Sequence, residues 1–176
     1  LSIATGSWDW RFARDEGQLD EATHYEAWAD GTAASILGAA IDCAEAAGRG
    51  DRAGLKQLVD CLALEVQLCN QLGHSRPEEG SEHYFAYSAE HHVDEHLPHG
   101  DLVGPGILIA AQLQQQDIRP LKRALVDCCV PFDRIPPDRV RYTLEHLGSY
   151  VRLHGLPFGV AHAIESVPSD ICSVLT

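Results

Sequence analysis

The apolar residues of this chain recur with a period near 3.6 and nowhere with a sustained period of 2, which limits the fold to packed helices. Over residues 23–47 the apolar face is Tyr25, Trp28, Ala29, Ala33, Ile36, Leu37, Ala40, Ile41 and Ala44, closed by Gly48 and Gly50. Asp51 is placed to cap the next helix, over 51–72. That helix carries Leu55, Leu58, Val59, Leu62, Val66 and Cys69 on one side and Leu64, Leu68 and Leu72 on another. A helix apolar nearly all round belongs at the centre of a bundle, so this one is expected to be the most buried element, with Leu62 in its core turns. Ser81 is placed to cap a helix over 81–93, and a turn containing Pro98 follows. Further helices are expected over 102–116, with Pro105 marking the start, and over 119–129, with Pro120 in the first turn. Pro131, Pro136 and Pro137 stiffen a link, and Asp138 is placed to cap a last long helix that stops at Gly155. The reading is all-α: a single helical bundle of about seven or eight helices over residues 1–176.

With 176 residues, 45% hydrophobic and 22% charged, the chain is long and apolar enough for one domain with a sizeable core. A formal net charge of −13 argues against nucleic acid and against an anionic membrane surface as partner. No apolar run approaches the roughly 20 residues of a membrane span. The six cysteines (Cys43, Cys61, Cys69, Cys128, Cys129 and Cys172) form no CxxC pair and fall mostly in helical patterns. They read as reduced, small core hydrophobes of a cytoplasmic protein. The chain starts at Leu1 and contains no methionine, so it is expected to be a piece of a longer protein.

Six of the ten histidines lie between positions 74 and 99. His91, His92 and His96 sit among Glu90, Asp94 and Glu95, a composition typical of a solvated surface. His92 and His96 have i,i+4 spacing and can chelate a metal only if the helix continues through Asp94. His83 and His99 stand in glycine-rich frames, Gly80-Ser81-Glu82-His83 and Pro98-His99-Gly100-Asp101. Two imidazoles and a carboxylate make a metal site with an open position. In a plain helical hairpin the two histidines lie at opposite ends, so a shared ion requires the segment 94–100 to fold back along the first helix. Spacing alone leaves that arrangement and two ordinary histidines equally open.

At these residues the chain resembles the metal-dependent polyol dehydrogenases related to sn-glycerol-1-phosphate dehydrogenase and glycerol dehydrogenase, with dehydroquinate synthase more distant. The matching stretches are Ser75-Arg76-Pro77-Glu78-Glu79-Gly80-Ser81-Glu82-His83 and His99-Gly100-Asp101, then Val103-Gly104. Ala4-Thr5-Gly6-Ser7-Trp8-Asp9-Trp10 looks like the family's first helix after its nucleotide domain, and Gly54-Leu55-Lys56-Gln57-Leu58-Val59 like the start of its central helix. The resemblance implies a dehydroquinate synthase-like C-terminal domain in which His83 and His99 bind zinc, or alternatively iron. It implies that Gly80, Ser81, Glu82, Asp101 and Arg76 support these ligands or contact substrate. In such a site the metal orients a substrate hydroxyl and lowers its pKa before hydride passes to a nicotinamide. NAD(P) is held by an N-terminal domain absent from this chain, and no cofactor-binding residue is expected within it. The third metal ligand, a carboxylate preceding the family's first helix, is missing too. Asp9 is a poor substitute, because Trp8 and Trp10 beside it suit the register of a helix core.

Glu79 stands where the family has a small residue, and Asp101 where it has glutamate. A phosphate-bearing substrate wants a cationic clamp. Only Arg76 is near, with Lys122 and Arg123 further along, so a polyol and a polyol phosphate stay equally open. The fragment alone is expected to be inactive. Its exposed cleft face, near His83, His99 and Phe85, is one that a second copy of the chain can cover. Two other readings are a stand-alone helical module that binds a metal or a protein, and a sugar-phosphate cyclase of the dehydroquinate synthase type.

Overall fold

The computed structural model describes residues 1–92 and 97–176. Seven α-helices and three 3₁₀ turns build the described chain: α1 (Ile3–Asp15), α2 (Ala27–Gly48), α3 (Arg52–Leu72), α4 (Ser81–His92), α5 (His99–Leu113), α6 (Arg119–Asp127) and α7 (Pro137–Leu153). Among the described residues there is no strand, and no helix is long and apolar enough to cross a membrane. The all-α expectation holds. All six cysteines are free, and Cys43, Cys61 and Cys69 are buried.

Local chemistry sets most boundaries. The Asp51 carboxylate accepts from the backbone N–H groups of Ala53 and Gly54, capping α3 as expected. Gly73 ends α3 in the left-handed conformation, φ +76°, where a Cβ is strained. α2 begins later than its apolar pattern, because a 3₁₀ turn over Glu21–Thr23 intervenes, capped by the Asp20 side chain. α5 begins earlier than expected, which places Pro105 inside the helix rather than at its start. α7 is preceded by Pro136 and begins with Pro137, so Asp138 lies in the first turn and is not the cap.

Two apolar clusters fill the interior. Tyr84, Phe85, Leu102, Leu108, Ile109, Leu144, Leu147 and Val151, from α4, α5 and α7, form the larger. Ile3, Trp10, Ala29, Ala33, Ile36, Cys61 and Leu68 form the smaller. This corrects the expected role of α3. It packs on α2, against which Gly54 lets the backbones close to a distance that excludes a Cβ, and lies at the edge of the bundle. Leu55, Val59, Leu62, Leu64 and Val66 are largely exposed. The all-round pattern gives α3 two apolar faces, and only the Cys61–Leu68 side finds neighbours. Trp28, expected on the buried face of α2, is exposed as well.

Burial then decides how core truncations rank. Leu62 is 51% exposed and Leu108 fully buried. Leu108→Ala should cost about 2–5 kcal/mol, whereas Leu62→Ala should cost less than about 1 kcal/mol. Thermal unfolding of the two variants checks the order.

Candidate metal site at His83 and His99

The segment before α4 is a close crossing of backbones. A Cβ at Gly80 would lie 2.9 Å from both the Gly6 Cα and the Asp9 carboxylate, and one at Gly6 would lie 2.8 Å from the Glu79 nitrogen. The small residues of the Gly-Ser-Glu-His frame thus admit α1. Asp9 sits at the centre of this crossing, completely buried. Its Oδ2 accepts from the Ser81 N–H at 2.7 Å and the Ser81 hydroxyl at 2.5 Å. Its Oδ1 accepts from Gln114 Nε2 at 3.0 Å and the Val160 N–H at 2.8 Å. Burial pushes the Asp9 carboxyl up to about 6, against the opposing pull of these donors. Ser81 in turn accepts the Ala161 N–H, so its hydroxyl links α1, α4 and the turn Val160–Ala163. It does not cap α4 with that hydroxyl.

From this anchored start α4 presents Glu82 and His83. Glu82 is fully buried, and its Oε1 accepts from the Gly80 N–H at 2.8 Å and meets His83 Nδ1 at 2.9 Å. Its Oε2 is buried without a partner. Burial pulls the His83 imidazole down, but the hydrogen bond and charge of Glu82, with Glu79 and Glu78 behind, outweigh it and leave the group raised. The close approach of α5 is set by Gly106, whose Cβ would lie 2.6 Å from the Glu82 carbonyl.

His99, the first residue of α5, stands with its ring centroid 5.5 Å from that of His83. Its Nδ1 meets Glu90 Oε1 at 3.1 Å. His99 thus lies alongside α4, as a shared site requires. Tyr87 lies against both rings, at 6.1 and 6.0 Å, and its hydroxyl donates to Glu79 at 2.7 Å. A carboxylate can only accept from imidazole, so each histidine presents Nδ1–H to its glutamate, and in the neutral ring the Nε2 lone pair is then free. That is the arrangement in which a metal-bound histidine is held by a carboxylate behind it. Two imidazoles on one tetrahedral zinc, with Zn–N near 2.0–2.1 Å, hold their centroids roughly 5–5.5 Å apart, so the donor set and spacing fit such an ion. Among the described residues no third histidine, cysteine or carboxylate completes a group of three.

The remaining expected residues fall in different places. Asp101 is in the first turn of α5, 3.9 Å from Arg134 Nε. Arg76 is buried, its guanidinium donating to the Tyr84 hydroxyl and to the carbonyls of Asp9 and Phe158. These partners tie it into the interior, where its Nε is buried without a partner. Glu79 is held by Tyr87 and by the Ser75 hydroxyl. Phe85, expected near an exposed face, is buried in the larger core instead. Val93, Asp94, Glu95 and His96 lie outside the described residues, and with them the conditional His92–His96 chelate.

No family model matches the chain. The glycerol-1-phosphate dehydrogenase [NAD(P)+] of Sulfurisphaera tokodaii is 29% identical over 117 residues, covering 65% of this chain and 33% of that protein. The enzyme of that name from Sulfolobus acidocaldarius is 29% identical over 134 residues, 74% of this chain and 36% of its own length. That from Saccharolobus solfataricus is 34% identical over 74 residues, 42% and 21% respectively. This chain resembles the glycerol-1-phosphate dehydrogenases. It spans about a third or less of the length of these dehydrogenases. The roles of two residues at the site were not evident from the sequence. Glu90, behind His99, looked like one more surface acid of a polar helix end. Asp9, weighed only as a metal ligand and set aside because tryptophans flank it, carried no signal that its carboxylate is the buried joint on which the Gly-Ser-Glu-His segment rests.

Proposed function

We propose that residues 1–176 form the metal- and substrate-binding helical domain of an NAD(P)-dependent polyol or glycerol-1-phosphate-type dehydrogenase. The observation that carries this reading is the pair of imidazoles 5.5 Å apart, each with Nδ1 on a glutamate. His83 and His99 hold a divalent ion through Nε2, zinc first and ferrous iron second. Bound there, the ion would lower the pKa of a substrate hydroxyl toward neutrality. Glu82 and Glu90 fix the tautomer and orientation of the two ligands. Against the downward pull of burial, Glu82 also raises the His83 imidazole through its buried hydrogen bond. Asp9 and Ser81 hold the start of α4 in place, and Tyr87 packs beside both rings. NAD(P) and the third protein ligand come from outside these residues. The similarity to glycerol-1-phosphate dehydrogenases supports a polyol or polyol-phosphate substrate.

Metal titration followed by activity assay tests the reading. The chain should lose one equivalent of bound zinc in the His83→Ala/His99→Ala variant. By itself it should oxidise no polyol with NAD+ or NADP+, because nothing in the described residues cradles a dinucleotide. Unchanged zinc stoichiometry in that variant, or turnover by the isolated chain, would sink the proposal.

A further inference from the structure

A second group of histidines lies at the other end of α4. His91 and His92 close that helix, and α7 packs against it. Along α7 and at its C-cap, Tyr142, His146, Tyr150 and His154 follow one another at i,i+4 spacing, which places them on one face. The two sets interleave. The His92 ring is 5.9 Å from that of His146, and the His91 ring is 6.3 Å from that of His154. Tyr142 stands edge-on to His92 at 5.4 Å and lies against His146 at 4.1 Å.

We propose that His92 and His146 bind a divalent transition-metal ion, of the zinc or copper class, that bridges α4 to α7. Three observations support this pair over its neighbour. It is the closer of the two, less than about 1 Å beyond the spacing two imidazoles adopt on one ion. His92 is half-buried, so little conformational freedom is lost on binding. His146 meets the Tyr142 carbonyl through Nδ1 at 2.8 Å, a contact that requires Nδ1–H and leaves the Nε2 lone pair free. A backbone carbonyl behind the ring is a usual support for a metal-bound histidine. Among the described residues no third ligand joins the pair. Water completes the shell, and imidazole donors favour zinc, copper and nickel over magnesium or calcium. This site is independent of the reading of His83 and His99.

The test uses the chain with His83→Ala and His99→Ala together, titrated with Zn2+ by calorimetry and with Cu2+ by electron paramagnetic resonance. One equivalent should remain in that background, with nitrogen hyperfine coupling from two imidazoles. It should vanish in His146→Ala, an exposed position at which truncation leaves the fold intact, and in His92→Gln. It should survive His91→Ala and His154→Ala. Absence of binding in the double variant overturns the proposal. So does an equivalent that survives both His92→Gln and His146→Ala, or one that His154→Ala removes. Circular dichroism of each variant separates loss of the site from loss of the fold.

Discussion

Asp9→Ala should destabilise the protein by about 3–5 kcal/mol, the cost of breaking a buried charged network. For a domain of this size that corresponds to a fall in melting temperature of roughly 10 °C. The reason is local. The carboxylate is the acceptor for the Ser81 N–H and hydroxyl, Gln114 Nε2 and the Val160 N–H, all in the interior. Without it these donors stay dry and unpaired, and three segments distant in sequence lose their common joint. Asp9→Asn should recover only part of the loss, because its amide directs two hydrogens toward groups that are themselves donors. The group also has a pH signature. Its native pKa is raised to about 6, above the unfolded value of 3.8, so the folded state binds the extra proton between those limits. Stability contributed by Asp9 therefore increases as pH falls through 6 toward 4 and decreases as pH rises. The gap between wild type and Asp9→Ala should be about 1 kcal/mol wider at pH 5 than at pH 7. Denaturant unfolding at the two pH values measures it, and a gap that narrows at pH 5 would contradict the assignment.

Glu82→Gln should weaken zinc binding at the His83–His99 pair by about 10–100-fold, the usual effect of altering a residue behind a metal-bound histidine. Glutamine retains a carbonyl oxygen able to accept from the Gly80 N–H and from His83 Nδ1, so the geometry survives while the buried charge is removed. Glu90→Gln should have a smaller effect, since Glu90 and His99 are both substantially exposed and water screens their interaction. His83→Ala should remove that equivalent of metal outright. Competition against a zinc chelator of known affinity ranks the three variants. Equal weakening by Glu82→Gln and Glu90→Gln would show that burial of the supporting carboxylate is not what strengthens the site.

Helix content was legible in the sequence because it is local. The 3.6 period, Asp51 before α3, Gly73 after it and Pro120 in the first turn of α6 each act within a few residues. The His83–His99 pair was legible as a candidate for a similar reason: both residues stand in short frames that resemble a known pattern. Ranking of burial was not legible. The periodicity of α3 marks two apolar faces but cannot say how many neighbours arrive, and only α2 does so extensively. Asp9 was not legible as a site residue, because its partners Ser81, Gln114 and Val160 are far along the chain; Glu90 was not, because only the packing of His99 against α4 gives it a partner.

By itself the sequence determined the helical class and most helix ends, and it offered His83 and His99 as candidates for one ion. These follow from backbone hydrogen bonding within a few residues and from side-chain chemistry that needs no fold. Only the tertiary structure decided that His99 returns to within 5.5 Å of His83, that Asp9 joins α1 to α4 and to the Val160–Ala163 turn, and that α3 lies at the edge. Those outcomes depend on which helix faces meet and on where Gly6, Gly80 and Gly106 let backbones touch. Such contacts join residues that no local pattern relates.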